Sequence, residues 1–224
     1  MNGITHSGPG DIERTSMAII AEELERMGVE LLPENRAMVQ RVIHATADFD
    51  FARTLEFTPG VAEKSVGALQ GGGAIITDTN MIKVGISRPA MDKLGCTARC
   101  YMADADVAQA ARERGVTRAV ISMEWAAVEC PKGVFAIGNA PTALLRLEEL
   151  IREGLRPSLV IGVPVGFVNV VESKERLLET AKACGVPAIV ARGRKGGSTV
   201  AVAVCNALLY TAAGSLDPAK RGWG

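Results

Sequence analysis

Residues 134–163 read VFAIGNAPTALLRLEELIREGLRPSLVIGV, and this stretch decides the fold class. It begins and ends with short apolar runs, Val134–Gly138 and Leu159–Val163. Between them, Pro141–Glu153 has the spacing of an amphipathic helix that stops at Gly154. The apolar runs are continuous rather than alternating, which is typical of strands buried on both faces of a parallel sheet. The stretch therefore predicts a strand–helix–strand unit with parallel strands.

The same alternation extends in both directions along the chain. Further strands are expected at Ala74–Asp78, Thr97–Tyr101, Arg118–Ser122 and Ala188–Ala191. Further helices are expected at Asp11–Met27, Pro33–Ala47, Pro59–Leu69, Asp104–Arg114, Ser173–Ala183 and Ser198–Ala212. This pattern predicts an α/β fold with a single doubly wound, mostly parallel sheet and helices on both faces. We assign the domain to residues 11–214, with a mobile N-terminus over 1–10 and a disordered tail over 215–224.

The composition argues against several classes of protein. The chain has 224 residues, 48% of them hydrophobic, and a formal net charge of zero. Zero charge argues against nucleic acid as a partner, and the apolar content argues against disorder. Five cysteines without a C-x-x-C spacing, together with two histidines, predict reduced thiols and no metal site. The longest apolar stretch, Thr199–Gly214, is about 16 residues and too short for a bilayer. No secretory signal is visible, so we expect a soluble, cytoplasmic protein without a membrane partner.

The segment Arg41–Asp48 carries the best acid–base candidate. On a helix, Arg41, His44 and Asp48 would share one face. A histidine near a helix C-terminus, with a carboxylate one turn away, has its cationic form favoured and can donate a proton near neutral pH. On spacing alone, the pattern favours a surface histidine in an ion-paired helix face, but His44 is still the one good acid–base candidate in the sequence. The other histidine, His6, lies in the expected mobile N-terminus.

Two loops that follow predicted strands have the composition of ligand-binding loops. In doubly wound sheets, ligands bind beyond the carboxyl ends of the strands. Arg192–Ser198 combines glycines, three cations and the start of a helix, which predicts an anion site, although a solvated basic loop has the same composition. Gly162–Val168 combines glycines with apolar residues and would supply a wall for a large apolar face.

Polar side chains follow two other predicted strands. Asn139 and Thr142 come after one of them, and Asp78 and Asn80 come after another. These residues either face the crevice or cap the helices that follow. Together with the two loops and one histidine, they predict a site for a large, amphipathic, polyanionic small molecule.

Five blocks, in order along the chain, resemble the precorrin-8X methylmutase family. They are Arg41–His44 with Ala47–Phe49, Ile76–Met81, Ala136–Leu144, Gly162–Val168 with Glu172–Lys174, and Arg192–Arg194 with Gly196–Ser198. The resemblance covers nearly the whole chain, from about Ile12 to Leu209. Thr117–Arg118 also matches a Thr-Arg pair of the family, and Met17 stands where the family usually has an aromatic residue.

The resemblance implies the corrin-forming step of cobalamin biosynthesis. In that step a methyl group moves from C11 to C12 of a tetrapyrrole, precorrin-8X or its cobalt counterpart, to give hydrogenobyrinic or cobyrinic acid. The resemblance also implies an isomerase without an external cofactor, acting as a homodimer with the site near the subunit interface. The family's catalytic histidine falls on His44, and its substrate-contacting positions fall on Ser16 and Arg41.

The residues and the resemblance together give one predicted site. His44 is the predicted acid. The predicted substrate-binding residues are Ser16, Arg41, Thr77, Asp78, Asn80, Arg118, Asn139, Thr142, Gly166, Arg192 and Arg194. A protonated ring would become a cationic π-system, which lowers the barrier to methyl migration, and arginines suit the carboxylates on the ring's rim. A non-catalytic carrier of the corrin product is the alternative, and a nucleotide-binding protein ranks below it because the nucleotide fingerprints are missing.

Overall fold

The strands of the computed structural model, which describes residues 8–221, form one sheet. They are β1 Leu55–Phe57, β2 Ala74–Thr77, β3 Thr97–Arg99, β4 Val134–Ile137, β5 Leu159–Gly162 and β6 Ala188–Ala191. Their order in the sheet is β1-β6-β5-β4-β2-β3. Every neighbouring pair is parallel except β1 and β6. The predicted α/β fold with a mostly parallel sheet is therefore confirmed.

Helices cover both faces of this sheet. In the described residues they are α1 Pro9–Arg26, α2 Pro33–Thr46, α3 Phe51–Thr54, α4 Val61–Gln70, α5 Asn80–Gly85, α6 Arg88–Leu94, α7 Ala105–Arg114, α8 Arg118–Glu129, α9 Pro141–Arg152, α10 Val170–Cys184 and α11 Ser198–Ala212. A 3-10 helix, Pro218–Arg221, follows α11. Among residues 8–221, no helix has the length and apolar character that a bilayer crossing requires.

The central strands are buried on both faces. Ile75 belongs to the apolar cluster that includes α2, α4 and α11, and the next residue, Ile76, belongs to the cluster that includes α7 to α10. Residues of β4, β5 and β6 divide between the two clusters in the same alternating way. Successive strand residues point to opposite faces, so continuous apolar runs such as Val134–Ile137 are what this sheet requires.

The prediction of a strand at Arg118–Ser122 is wrong. These residues form the start of α8, and the hydroxyl of Thr117 caps that helix by accepting the backbone N–H of Val120 at 3.4 Å. Ile121 and Met123 are buried in the same cluster as α9. A short β-branched run is ambiguous by periodicity, and here packing of one helix face and an N-cap decide in favour of a helix.

The ends of the domain also differ from the prediction. Helix α1 already begins at Pro9, inside the expected mobile segment, and residues 1–7, with His6, lie outside the described part. Residues 215–221 of the expected tail lie in the described part, and Pro218–Arg221 form the 3-10 helix. Arg221 has a side chain only 5% exposed, which forms an ion pair with Glu13 and lies over the ring of Tyr210. Residues 215–221 are held in place because this guanidinium contacts a carboxylate, two backbone carbonyls and an aromatic face.

The connection from β6 to α11 crosses the carboxyl edge of the sheet. Gly197 donates its backbone N–H to the carbonyl oxygen of Val163 at 2.7 Å, just beyond β5. Gly138, which follows β4, lies so close to Ser198 that a Cβ at residue 138 would be 2.9 Å from the Ser198 Cα. At Gly196, a Cβ would be 2.2 Å from the Val163 carbonyl oxygen, and φ is +157°. The glycines therefore allow a backbone-to-backbone crossing that no larger residue permits.

Substitution at this crossing is expected to be costly. We predict that Gly196→Ala lowers the free energy of unfolding by about 2–4 kcal/mol, through overlap with backbone and a strained φ. Gly67→Ala is the matched control, because a Cβ at this helical position meets nothing within 4 Å. The control should unfold at or above the wild-type urea concentration. Equal urea midpoints for Gly196→Ala and Gly67→Ala would contradict the close backbone contact at Gly196.

Candidate active site

The direction of strand addition reverses between β2 and β4, the predicted ligand-binding point of such a sheet. Asp78, which follows β2, fills this junction. Its carboxylate accepts the backbone N–H groups of Gly138 at 2.9 Å, Asn139 at 2.8 Å and Ala140 at 2.6 Å. Asp78 is buried, and that burial raises the pKa of its carboxyl group, while the three N–H donors act in the opposite direction. Asp78 thus ties the β4–α9 loop to β2, whereas the helix that follows Asp78, α5, is capped by the hydroxyl of Thr79.

Thr77 has a similar supporting position. Its hydroxyl donates to the carbonyl oxygen of Thr79 at 3.0 Å and also lies 3.4 Å from that of Arg99, and the residue is fully buried. Asn80, in contrast, is exposed at the start of α5. Of the three predicted contacts at the end of β2 and just beyond it, Asn80 has its side chain open to a ligand, and Thr77 and Asp78 hold the loops in place.

Three further predicted residues lie near the starts of α8 and α9. Thr142 is half-buried, and its hydroxyl lies 3.0 Å from that of Thr117. Arg118 is exposed and donates to the carbonyl oxygen of Met102 at 3.2 Å. Asn139 is exposed, and its backbone rests on Asp78. These side chains therefore line the edge on the β4 side of the junction.

Residues 192–197, which we call the cationic loop, occupy the other side. Arg192 is 53% exposed, and its guanidinium lies 3.4 Å from the carboxylate of Glu56. Arg194 is exposed, with its guanidinium 5.5 Å from the ring centre of Phe167. Gly166 donates its backbone N–H to the carbonyl oxygen of Arg194 at 3.3 Å. The predicted anion loop and the predicted apolar wall are therefore in direct contact.

Within residues 8–221, the apolar wall is left uncovered. Val165, Phe167 and Val168 are 51%, 83% and 77% exposed. Isolated exposed apolar residues are common, but three within four positions beside the exposed guanidinium of Arg194 form a patch of the kind that binds a ligand or partner. This surface combines exposed apolar side chains with the positive charge of Arg194.

His44 lies in the last turn of α2, the helix whose following turn contacts the cationic loop through Asp48 and Asp50. It is exposed and is the one histidine among residues 8–221. The predicted pairing of His44 with Asp48 is wrong, because α2 ends at Thr46 and Ala47 adopts a left-handed conformation with φ of 53°. Asp48 instead forms an ion pair with Lys195 of the cationic loop at 2.6 Å. The turn after α2 therefore joins the helix of His44 to the loop rather than supporting the imidazole.

Arg41 and Ser16 lie farther along the same side of the molecule. Arg41 forms an ion pair with Glu13 at 2.5 Å, and its guanidinium is 5.3 Å from the ring centre of Tyr210. Ser16 donates its hydroxyl to the carbonyl oxygen of Ile12 at 2.9 Å. A cavity of about 490 Å³ borders Arg41 and is lined in part by Met17 and by Leu216 of the tail. Arg41 and His44 are one helical turn apart, so this cavity and the loop edge adjoin the same helix.

The sequence did not indicate that Lys174, Lys195 and Arg221 organise the site, and it presented Lys195 only as one of three cations of the predicted anion loop. Lys174 is fully buried and contacts the backbone of the cationic loop. One signal was present in the sequence, since Lys174 lies three and four positions before Leu177 and Leu178 on the apolar face of its helix. The partners of Lys195 and Arg221 are distant in sequence, so no local signal identifies them.

Comparisons with known proteins agree with this architecture. The model of the family described as precorrin-8X methylmutase matches residues 11–211. The cobalt-precorrin-8 methylmutase of Priestia megaterium is 44% identical over 89% of this chain and 87% of the relative. The precorrin-8X methylmutase of Pseudomonas aeruginosa is 40% identical over 88% of this chain and 93% of the relative.

A solved structure agrees as well. The crystal structure of precorrin-8X methyl mutase from Thermus thermophilus has a TM-score of 0.83 at 39% identity, and the match covers 92% of this chain and 97% of that one. The sequence matches and the structural match both extend over nearly the whole domain. The chain therefore belongs to the precorrin-8X methylmutase family, a family of isomerases that move a methyl group within one molecule.

Proposed function

We propose that this chain moves a methyl group from C11 to C12 of precorrin-8X or cobalt-precorrin-8, giving hydrogenobyrinic or cobyrinic acid in cobalamin biosynthesis. Its relatives carry both substrate names, so the proposal covers the metal-free and the cobalt-containing ring. The observation that carries the proposal is the contact between the cationic loop and the uncovered apolar wall, beside the helix end that bears His44. A flat ring fringed with carboxylates is complementary to this surface.

Binding is assigned to the exposed groups of the edge. Arg192 and Arg194 pair with carboxylates on the rim, where a guanidinium can form two parallel hydrogen bonds. Val165, Phe167 and Val168 contact the ring face. Further contacts are assigned to Ser16, Arg41, Asn80, Arg118, Asn139, Thr142 and Gly166. Thr77 and Asp78 contribute by holding the loops, since their polar atoms already have protein partners.

His44 is assigned as the acid. A proton donated to the ring leaves a cationic π-system, into which the methyl group migrates with its bonding electron pair from C11 to C12. Substrate and product are isomers, so the ring returns the proton and His44 ends the cycle in its initial state. An acid placed in this way supplies typically about 10²–10⁴-fold in rate, and holding the ring in a reactive shape supplies more. The reaction proposed in this way needs no external cofactor.

We also propose that the active form is a homodimer with the site near the subunit interface. In the single chain His44 and Phe167 are exposed, whereas proton donation to a ring carbon or nitrogen is strongest where water is excluded. A second copy over this edge would exclude water. We place the protein in the cytoplasm, where its five free cysteines would stay reduced.

The variant His44→Ala tests the acid. We expect kcat to fall about 10²–10⁴-fold while the variant folds and still binds corrin product, because the cationic loop and the apolar wall are unchanged. Turnover is followed by the appearance of the corrin absorption spectrum, and product binding by titration of the same spectrum. Glu34→Ala, an exposed change at the other end of α2, is the control and should keep wild-type rates.

Two results of this assay would count against the proposal. Wild-type turnover by His44→Ala would exclude the histidine acid. A wild-type protein that binds the product tightly, and is coloured when purified, but does not convert precorrin-8X would be a carrier rather than an isomerase.

The double variant Arg192→Ala/Arg194→Ala tests the carboxylate anchors. We expect KM and the product Kd to rise about 10–100-fold, and the dependence of product binding on salt to weaken, since two charge-assisted contacts are removed. Arg88→Ala changes an arginine that is 81% exposed on α6 and serves as the control. An unchanged product Kd in the double variant would show that the substrate carboxylates do not bind at the cationic loop.

Sedimentation velocity tests the proposed assembly. A homodimer has twice the chain mass of 23.6 kDa, and we expect this species at micromolar concentration. Phe167→Asp should shift the population towards the monomer if the wall adjoins the interface, because a desolvated carboxylate there is unfavourable. A wild-type protein that is active and sediments only as a 23.6 kDa species would contradict the homodimer.

A further inference from the structure

Lys174 reaches from helix α10 into the backbone of the cationic loop. The residue is fully buried. Its ammonium donates hydrogen bonds to the carbonyl oxygens of Gly193 at 2.9 Å and of Lys195 at 2.8 Å. Within residues 8–221, neither carbonyl accepts another backbone N–H. One side chain therefore supplies the donors for two carbonyls of the loop.

A lysine in this position needs a physical reason. Burial of an ammonium is unfavourable and lowers the pKa of Lys174 to about 8. Charged partners do not offset that burial, because both acceptors are backbone carbonyls. A methionine would fill similar space without the desolvation cost, so volume alone does not explain the residue. What the ammonium adds is a pair of charge-assisted hydrogen bonds that hold the loop.

The loop is held from the opposite side as well. The ammonium of Lys195 lies 2.6 Å from a carboxylate oxygen of Asp48 and 2.6 Å from one of Asp50. Lys195 is thus held twice, by its carbonyl through Lys174 and by its side chain through the two aspartates. These aspartates follow α2, whose last turn carries His44. The contacts run without a break from the buried lysine to the helix end of the proposed acid.

We propose that Lys174 is a positioning residue for substrate binding. By holding the carbonyls of Gly193 and Lys195, it keeps the cationic loop against the end of α2 and presents Arg192 and Arg194 beside His44. The inference rests on the proposed function, because it takes these arginines as the groups that bind substrate carboxylates. Without the ammonium, the two carbonyls would lack partners and the loop would sample other conformations.

The variant Lys174→Met tests the proposal. We expect KM and the product Kd to rise about tenfold, with kcat reduced less than about threefold, because the loop that binds carboxylates is loosened while His44 itself is unchanged. Amide hydrogen exchange in peptides covering residues 192–197 should become faster while core strands keep their protection. Lys182→Met, at an exposed position of the same helix, is the matched control for both measurements.

A merely structural role for Lys174 gives a different result. In that case the melting temperature falls, exchange accelerates throughout the domain, and KM of the folded enzyme stays at the wild-type value. That result, or unchanged KM and exchange, would overturn the proposal. Lys174→Gln keeps an amide donor without the charge, so partial recovery of KM and of loop protection relative to Lys174→Met is expected.

Lys195→Met keeps the test decisive should Lys174→Met not fold. The Lys195 side chain is 49% exposed, so its replacement leaves the core unaffected. We expect faster amide hydrogen exchange in the cationic loop and a KM about threefold higher. Wild-type values for both would overturn the positioning role. Failure of the wild type to convert precorrin-8X would overturn the proposed function instead, since loop exchange does not depend on turnover.

Discussion

The close crossing of backbone at Gly196 and Val163 is the constraint on which the site depends. A carbonyl oxygen occupies the space that a side chain at residue 196 would need. The β6–α11 connection can therefore lie flat on the carboxyl edge of the sheet and bring the start of α11 to the junction of β2 and β4. Within the cationic loop, Arg194 consequently lies next to the apolar wall, with its guanidinium against the ring of Phe167.

Buried polar groups hold the loops around this crossing. Asp78 ties the β4–α9 loop to β2, and Lys174 ties the cationic loop to α10. Both have protein partners for their polar atoms, which is the condition for keeping such groups in a dense apolar interior. Glu148 joins α9 and α10 in the same manner through Arg176 and Thr180. Because these buried groups hold the loops in place, the exposed side chains of the loops remain available to a ligand.

Individual strands and helices show why some predictions from the sequence succeeded and others failed. Strands such as Leu159–Gly162 were predictable because burial on both faces demands continuous apolar residues. Strand β1, Leu55–Phe57, was missed, since three residues at a sheet edge carry too little periodicity. Arg118–Ser122 has a strand-like composition but is helical, because its N-cap and its packing against α9 decide between the two. The pairing of His44 with Asp48 failed for a similar reason, since the helix ends one residue before the left-handed Ala47.

The sequence by itself determined the class of fold, the family and the types of group available: one usable histidine, a cationic glycine loop and an apolar wall. These follow from patterns within short segments, where spacing along the chain dictates which side chains share a face. Only the tertiary structure decided which of these groups are partners. Lys195 meets Asp48, Arg221 meets Glu13 and Lys174 meets Gly193 across long sequence separations. Such contacts depend on how the helices and loops pack around the sheet, and local sequence patterns do not indicate that packing.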